Sequence, residues 1–262
     1  MRLPPGPLSA ALNELVGSRL VTEEPGGRLR QEPLLHLHAR ELAGEEGPLL
    51  LGRMADHYVD RAVRAGHALI PQRPWLRRYF PGVELGTDDP AAAERWLREE
   101  RENLAALVRP TAELGRREQL VLLAVALWPL HERGKHLDDM IALNGCGVEA
   151  AEELGRWEIA ALLRVQLAFA HMQRGAPEVA HGLARAAVDA ATGRDPELEA
   201  TAVETLGLAP SPSAGTARPW RCCAATWRSP RPSATDAGSR WPGSTWPRCW
   251  PRPRRWPCSR PC

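Results

Sequence analysis

Two pairs of histidines lie close together in the chain and are the first candidates for metal chemistry. His36 and His38 fall two residues apart in a predicted helix, so their side chains point about 200° apart and cannot share one ion. His131 and His136 flank a predicted turn and could converge, but with Asp138 and Asp139 beside them a solvated turn is favoured. The sequence therefore predicts no metal site.

The chain also lacks the residue patterns of an enzyme. The Glu-Glu pairs at 99–100 and 152–153 are adjacent in sequence and diverge on a helix, which predicts solvated faces rather than a general acid and base. Too few serines and threonines lie near any His or Asp to suggest a catalytic triad. The only Gly-Lys pair, Gly134-Lys135, is followed by His136 and lacks the glycine spacing of a phosphate-binding loop. We therefore expect a non-catalytic chain with no cofactor.

The composition changes abruptly between Leu208 and Ala209. Residues 209–262 contain no Leu, Ile, Val, Met, Phe or Tyr, yet they hold six of the ten tryptophans, five of the six cysteines, ten arginines and eleven prolines. Residues 1–208 carry 24 basic and 31 acidic residues, a formal charge of −7, whereas the tail carries ten and one, a charge of +9. The net charge of +2 therefore describes neither part.

A frameshift explains this tail. In a GC-rich gene, a one-base shift converts Leu and Val codons into the Trp codon, and Lys135 as the only lysine fits a GC-rich origin. Because prolines without aliphatic residues cannot build a core, we expect residues 209–262 to be a disordered, frameshifted tail. Alternatively, interleaved Arg and Trp could bind single-stranded nucleic acid, and the cysteines could hold a metal, although they lack paired C-x-x-C spacing.

Residues 1–208 are expected to be soluble and cytoplasmic. Their one cysteine, Cys146, fits a reducing compartment. Their apolar runs fall short of the roughly 18 residues that span a bilayer, and the N-terminus has no signal-peptide pattern. The sequence therefore predicts no membrane association.

Glycines recur between segments of helical length. The triplet Leu114-Gly115-Arg116 recurs as Leu154-Gly155-Arg156 and as Thr192-Gly193-Arg194, and Arg133-Gly134 recurs as Arg174-Gly175, at spacings of 38 to 41 residues. The segments between them predict helices at about 117–133, 136–153, 157–173 and 177–191, with glycine as the C-cap. This pattern favours a tetratricopeptide-like solenoid of helical hairpins over an ordinary helical bundle.

Residues 8–43 have the pattern of half a winged helix. The predicted elements are a helix at Leu8–Val16, strands at Ser18–Thr22 and Leu29–Gln31 around a Pro-Gly-Gly turn, and a helix at Leu34–Ala43. A further helix is expected at about 47–70. The expected fold is all-α, with a partial winged-helix remnant at 1–45, a helical bridge and linker at 46–90, repeats at 91–208 and the tail at 209–262.

Several segments resemble a known family. Residues 12–21 and 28–41 (RLRQEPLLHLHARE) resemble the end of the nucleotide-binding module in actinobacterial STAND (NB-ARC) transcriptional regulators of the AfsR/SARP type. His57-Tyr58 and residues 93–104 (AERWLREERENL) resemble the bridge into the repeat domain of that family, and segments 126–128 and 137–139 resemble its first repeat. The resemblance covers about residues 8–207.

The resemblance also implies a nucleotide sensor that has degenerated. In the family a His-Asp pair contacts bound ADP, whereas Glu32 and Pro33 occupy those two positions here. An acid repels a phosphate, and proline removes a backbone donor. With no P-loop either, the chain is expected to be a fragment that runs from the sensor end of the ATPase into the repeats.

Two functions remain after these exclusions. The first is a protein-interaction arm whose concave repeat face binds a protein or peptide and signals occupancy to the switch of an intact regulator, which contacts DNA only through domains absent from this chain. The alternative is nucleic-acid binding through the winged-helix remnant or the basic tail. The charge of −7 on residues 1–208 disfavours contact with a phosphate backbone.

Overall fold

The computed structural model describes residues 5–24 and 27–209, and 77% of these lie in helices. The expectation of a mainly helical protein is thus confirmed. Contacts divide the described chain into one unit up to Leu42 and a second unit of residues 43–209. The predictions for the tail concern residues that lie, apart from Ala209, outside the described part of the chain.

The first unit contains a two-stranded antiparallel sheet between two helices: α1 (Pro5–Gly17), β1 (Thr22–Glu24), β2 (Arg28–Arg30) and α2 (Pro33–Ala43), with Glu23 opposite Leu29. The first strand was expected at Ser18–Thr22, which is wrong. Residues 18–21 instead close the preceding helix, because the amides of Leu20 and Val21 donate to the Leu15 carbonyl and Arg19 takes a left-handed φ of 58°.

The second unit is mainly helical and contains no strand among its described residues. After a 3-10 turn (Gly44–Glu46) it contains α3 (Gly47–Leu69), α4 (Trp75–Tyr79), α5 (Pro90–Glu99), α6 (Arg101–Glu113), α7 (Arg117–Ala126), α8 (Trp128–Gly134), α9 (Leu137–Glu153), α10 (Trp157–Gln173), α11 (Pro177–Ala191) and α12 (Pro196–Leu208). Asp89 and Asp195 each cap the helix that follows, since their carboxylates accept the amide hydrogens of Ala92 and Leu198.

The helix predicted at 117–133 is two helices, and this is a correction. Residues 117–126 form α7, the chain turns at Leu127, and α8 begins at Trp128. Pro129 explains the break. In a continuous helix it would leave the Val125 carbonyl without a donor and its ring would clash with that carbonyl, whereas in the first turn of a helix proline is tolerated.

Glycine ends α9 and α10 as expected, and it also ends α6. Gly115 and Gly155 take φ values of 67° and 70°, and the next amide in each case donates back to the helix, Arg116 to Thr111 at 3.1 Å and Arg156 to Ala151 at 2.8 Å. These are Schellman caps.

Gly134 is not such a cap, contrary to expectation. It lies inside α8, and Lys135 takes the left-handed conformation with φ 52°. A Cβ at position 134 would sit 2.3 Å from His136 Nε2. Glycine at this position therefore makes room for the His136 ring rather than providing the turn.

The longer helices stack in order. We call α3, α7, α10 and α12 the first layer, because each contacts the next. Between them, α9 contacts both α7 and α10, and α11 contacts both α10 and α12. The core between these helices consists of leucine, isoleucine and small residues, including the fully buried Leu123, Leu143, Ile159, Leu162 and Leu163.

Candidate protein-interaction surface

The short helix α4 rests against the first layer, where sequence analysis expected only a linker. It lies between Pro74 and Pro81, which limit its length. Trp75 and Tyr79 are four residues apart, so their side chains share one face, and their rings stack with centroids 5.6 Å apart. Both residues are at least 93% buried, since only 5% of Trp75 and 7% of Tyr79 is exposed. The helix thus carries an aromatic anchor.

One end of α4 packs where α3 and α7 meet. Trp75 and Leu76 border a cavity of about 20 Å³ together with Gly66 of α3 and Val125 and Ala126 of α7. A Cβ at position 66 would lie 2.2 Å from the Ala126 carbonyl oxygen, so the missing side chain lets α3 and α7 approach closely at this point. The anchor therefore sits on a closely packed pair of helices.

The other end of α4 is bound by polar groups that begin α10 and α12. The Tyr79 hydroxyl donates to Asp195 Oδ2 at 2.8 Å, and Arg78 pairs with Asp195 at 2.9 Å and with Glu197 at 2.8 Å. Arg156, which precedes α10, donates to the Tyr79 carbonyl at 2.8 Å. Together these bonds hold the end of α4 against two helices of the first layer.

Asp195 is the centre of this polar cluster. It is only 5% exposed, and burying a carboxylate is costly unless the charge is paired and hydrogen-bonded. Tyr79, Arg78 and the Leu198 amide supply those partners. Burial is the main cause that raises the pKa of Tyr79 well above its ordinary value, and the hydrogen bond to Asp195 is the second. The hydroxyl therefore stays a neutral donor.

Half-buried aromatic rings continue this surface. Trp128 of α8 meets Phe169 of α10 edge to face, with centroids 5.2 Å apart. Arg73 lies 4.5 Å from the centroid of Trp128, and Lys135 lies 5.2 Å from that of Phe169. Burial lowers the pKa of Arg73 to about 10, which still leaves it charged at neutral pH and able to make a cation–π contact.

We call the surface on which α4 rests, together with the neighbouring rings of Trp128 and Phe169 and the acids around Asp195, the α4 face. A cationic group covers each half-buried ring on it, and its buried acid is paired with an arginine. Such a surface can hold a short helix through aromatic and arginine side chains.

Glu32 and Pro33, the predicted degenerate sensor positions, lie in the first unit. Pro33 is the first residue of α2, both side chains are exposed, and the Glu32 carbonyl accepts the His36 amide at 2.9 Å. The sensor assignment remains a prediction.

His36 and His38 are exposed, whereas the expectation of a solvated turn at His131 is wrong. His131 is only 3% exposed, and its Nδ1 has no hydrogen-bond partner among the described residues. Burial lowers the pKa of His131 to about 4, and His136 and Asp139 lie close enough to affect it. Within residues 5–24 and 27–209, no three His, Cys, Asp or Glu side chains are placed to hold a metal ion.

Of the two acidic pairs expected on solvated faces, Glu99 and residues 152–153 are exposed as expected, and Glu100 is the exception. Glu100 is half-buried and accepts hydrogen bonds from Tyr58 at 2.9 Å and from Asn103 at 2.6 Å. The pair at 152–153 binds Arg164 and Arg117 on neighbouring helices. Burial of Glu100 explains why its role differs from the expected one.

Two cavities among the described residues are smaller than an ordinary ligand site. Besides the one beside Trp75, a cavity of about 110 Å³ lies between α5 and α8, lined by Leu97, Leu130 and His136 among others. Small-molecule sites usually enclose roughly 300 Å³ or more. Within the described residues, no helix combines the length and apolar character that a membrane crossing requires.

Comparison with known proteins identifies no relative: no family model, curated protein or solved structure matches the chain. The fold and the α4 face alone describe the chain: it is a mainly helical protein in which the short aromatic helix α4 is bound to the first layer.

Sequence reasoning missed Trp75, Tyr79 and Asp195. A signal was present, since the six residues 75–80 hold one of the two tyrosines and one of the two phenylalanines in the chain, next to a tryptophan. The Asp-Pro pair at 195–196 is a helix-start pattern that marks Asp195 as a cap. It carries no information about Tyr79, which is 116 residues away.

Proposed function

We propose that this chain is a non-catalytic protein-interaction module whose α4 face binds a short helical segment of a partner protein. The observation that carries the proposal is that the first layer already holds one such segment, α4, through a stacked aromatic pair and an arginine. Helix-in-groove recognition of this kind depends on aromatic or aliphatic anchors at i and i+4.

The architecture within this proposal is a tetratricopeptide-like solenoid with the α4 face as its concave side. Two features support it: Schellman glycines 40 residues apart at 115 and 155, and helices that pack on neighbours close in sequence. The helix, hairpin and helix of residues 5–43 support a winged-helix remnant ahead of it.

The proposal extends to a cytoplasmic STAND-type transcriptional regulator of the AfsR/SARP type. Its support is the resemblance of residues 28–41 and 93–104. In that setting, the occupied α4 face would signal to a nucleotide switch, and other domains would contact DNA.

A peptide selection on the full chain tests the binding function. Displayed random peptides are selected on the protein, and their affinity is measured by fluorescence anisotropy for the native chain, Phe169→Ala and Leu183→Ala. Leu183 is a half-buried apolar residue of α11, outside the first layer, and serves as the matched control. The function is supported by peptides that bind Phe169→Ala more weakly than the native chain but bind Leu183→Ala as tightly as the native chain. A selection that yields no such peptide contradicts it.

The same assay with labelled duplex and single-stranded DNA tests the alternative. Affinity that falls steeply with salt would favour nucleic-acid binding, while DNA binding that is weak or absent in the full chain fits the protein-interaction function.

A further inference from the structure

Residues 71–83 (PQRPWLRRYFPGV) have the features of a bound peptide rather than of a connecting loop. Most of the α4 helix is anchored: Trp75, Leu76 and Tyr79 are buried. Its polar bonds reach residues 77 to 119 positions further along the chain. A simple linker between α3 and α5 needs none of these contacts.

The surface beneath this segment is complementary to it in charge. Arg78 meets the two acids Asp195 and Glu197, and the carboxylate of Glu158 lies near enough to Tyr79 to affect its ionisation. An apolar site at α3 and α7 receives Trp75 at the other end. The surface therefore recognises an aromatic ring, a second ring four residues later and an arginine beside it.

We propose that residues 71–83 are a built-in ligand of the α4 face, and that a partner binds by displacing them with a helical segment of the same chemistry: two aromatic residues four apart, with an adjacent arginine. This inference rests on the proposed function and specifies its ligand. The contacts of Arg78 and Tyr79 with Asp195 form the latch that holds the segment in place.

The latch makes the protein self-inhibited. Because the segment is part of the same chain, it competes at a high effective concentration with any partner. A partner peptide must therefore bind more weakly to the native protein than to a variant in which the latch is broken.

The test uses a fluorescent peptide of residues 71–83 and the full chain. Its anisotropy is measured with the native protein, with Arg78→Gln/Tyr79→Phe, and with the matched control Arg185→Gln/Tyr58→Phe. The control makes the same two kinds of replacement away from the latch. Arg185 of α11 pairs with Asp189, and the Tyr58 hydroxyl donates to Glu100. Tyr79→Phe keeps the buried ring, so the packing of α4 is retained.

The expected result is that the peptide binds the latch variant at least roughly tenfold more tightly than the native chain or the control, since a hydrogen bond to a charged group changes an equilibrium constant by about that factor. A peptide with Trp75→Ala should lose this binding. Equal affinity for all three proteins, or binding to none of them, would overturn the proposal.

Hydrogen exchange of the segment provides the second readout and shows whether the latch variant remains folded. Amides of residues 71–83 should exchange faster in the latch variant, while α9 and α10 keep their protection. Unchanged exchange in the segment overturns the latch, and if the double variant loses protection throughout, Tyr79→Phe alone takes its place in both measurements.

The peptides selected for Phe169 dependence separate this inference from the proposed function. If they bind the native and latch variants equally, the function stands and the built-in ligand is disproved. If no peptide depends on Phe169, the function itself fails, whatever the exchange of the segment shows.

Discussion

The hydroxyl of Tyr79 and the carboxylate of Asp195 are 116 residues apart in the chain and 2.8 Å apart in the structure. This bond joins the short helix α4 to the cap of α12. Asp195 accepts the Leu198 amide through its other oxygen, so one side chain both begins α12 and holds α4. The stability of the last helix is thereby coupled to the position of α4.

Tyr79→Phe should lower the free energy of unfolding by about 1 to 3 kcal/mol, because it removes a buried hydrogen bond to a charged group. Urea unfolding measures the change. The other tyrosine provides the control: Tyr58 is only half-buried and bonds Glu100, so Tyr58→Phe should cost less. A greater loss for Tyr58→Phe would show that the Asp195 contact contributes little.

The buried His131 predicts that stability falls in mild acid. Its pKa is lowered to about 4 by burial, whereas the unfolded chain has the ordinary value of 6.5. Above pH 6.5 both states are neutral at this residue. Between pH 6.5 and 4 mainly the unfolded state takes up the proton, so the free energy of unfolding decreases, by about 3 kcal/mol in all.

Replacing this histidine tests the sign of the effect. In His131→Leu the decline between pH 6.5 and 4 should be shallower than in the native chain, and urea unfolding at several pH values measures it. His136, which is half-buried and also has a lowered pKa, is the comparison, and His136→Gln should change the slope less. An unchanged slope in His131→Leu would mean that the imidazole takes up a proton in the folded state.

Gly66→Ala should destabilise the protein by at least about 1 to 3 kcal/mol, since the new Cβ would sit 2.2 Å from the Ala126 carbonyl oxygen and the backbones of α3 and α7 would have to separate. Gly145→Ala in α9 is the matched control. Apart from its chain neighbours and the backbone of its own helix, no atom lies within 4 Å of its added Cβ, and alanine in a helix interior is favoured over glycine by roughly 0.5 to 1 kcal/mol. Thermal unfolding should therefore shift in opposite directions for the two variants.

A buried amide pair joins α9 to α10. Asn144 Nδ2 donates to Gln166 Oε1 at 3.0 Å, and both residues are at most 1% exposed. Asn144→Leu should cost about 1 to 3 kcal/mol, because it leaves the amide of Gln166 buried without a partner. The double replacement Asn144→Leu/Gln166→Leu should recover part of this loss, and a double-mutant cycle measures the coupling. Purely additive losses would contradict the pairing.

Local chemistry made much of the helical pattern predictable. The glycines at 115 and 155 end helices because they alone take a left-handed φ at little cost, and the spacing of leucines marks the buried faces. Pro129 could have located the break between α7 and α8. The conformation of Lys135 could not be predicted, because it depends on the packing of the His136 ring against Gly134.

The α4 face depends on contacts between distant residues, which one sequence does not reveal. A helix of five residues has no periodicity to detect, and a segment between prolines resembles a loop. His131 escaped prediction for a similar reason: it lies on a helix of seven residues, too short for a pattern to show which side is buried. Only the clustering of aromatic residues at 75–80 could have drawn attention to this segment.

The most direct test of the α4 face is hydrogen exchange of the full chain with and without a peptide selected on it. If the face binds the peptide, amides of α8 and α10 near Trp128 and Phe169 gain protection while residues 71–83 lose it. Protection gained on α9 or α11, or no change in residues 71–83 at a saturating peptide concentration, would contradict the claim that α4 occupies the binding site.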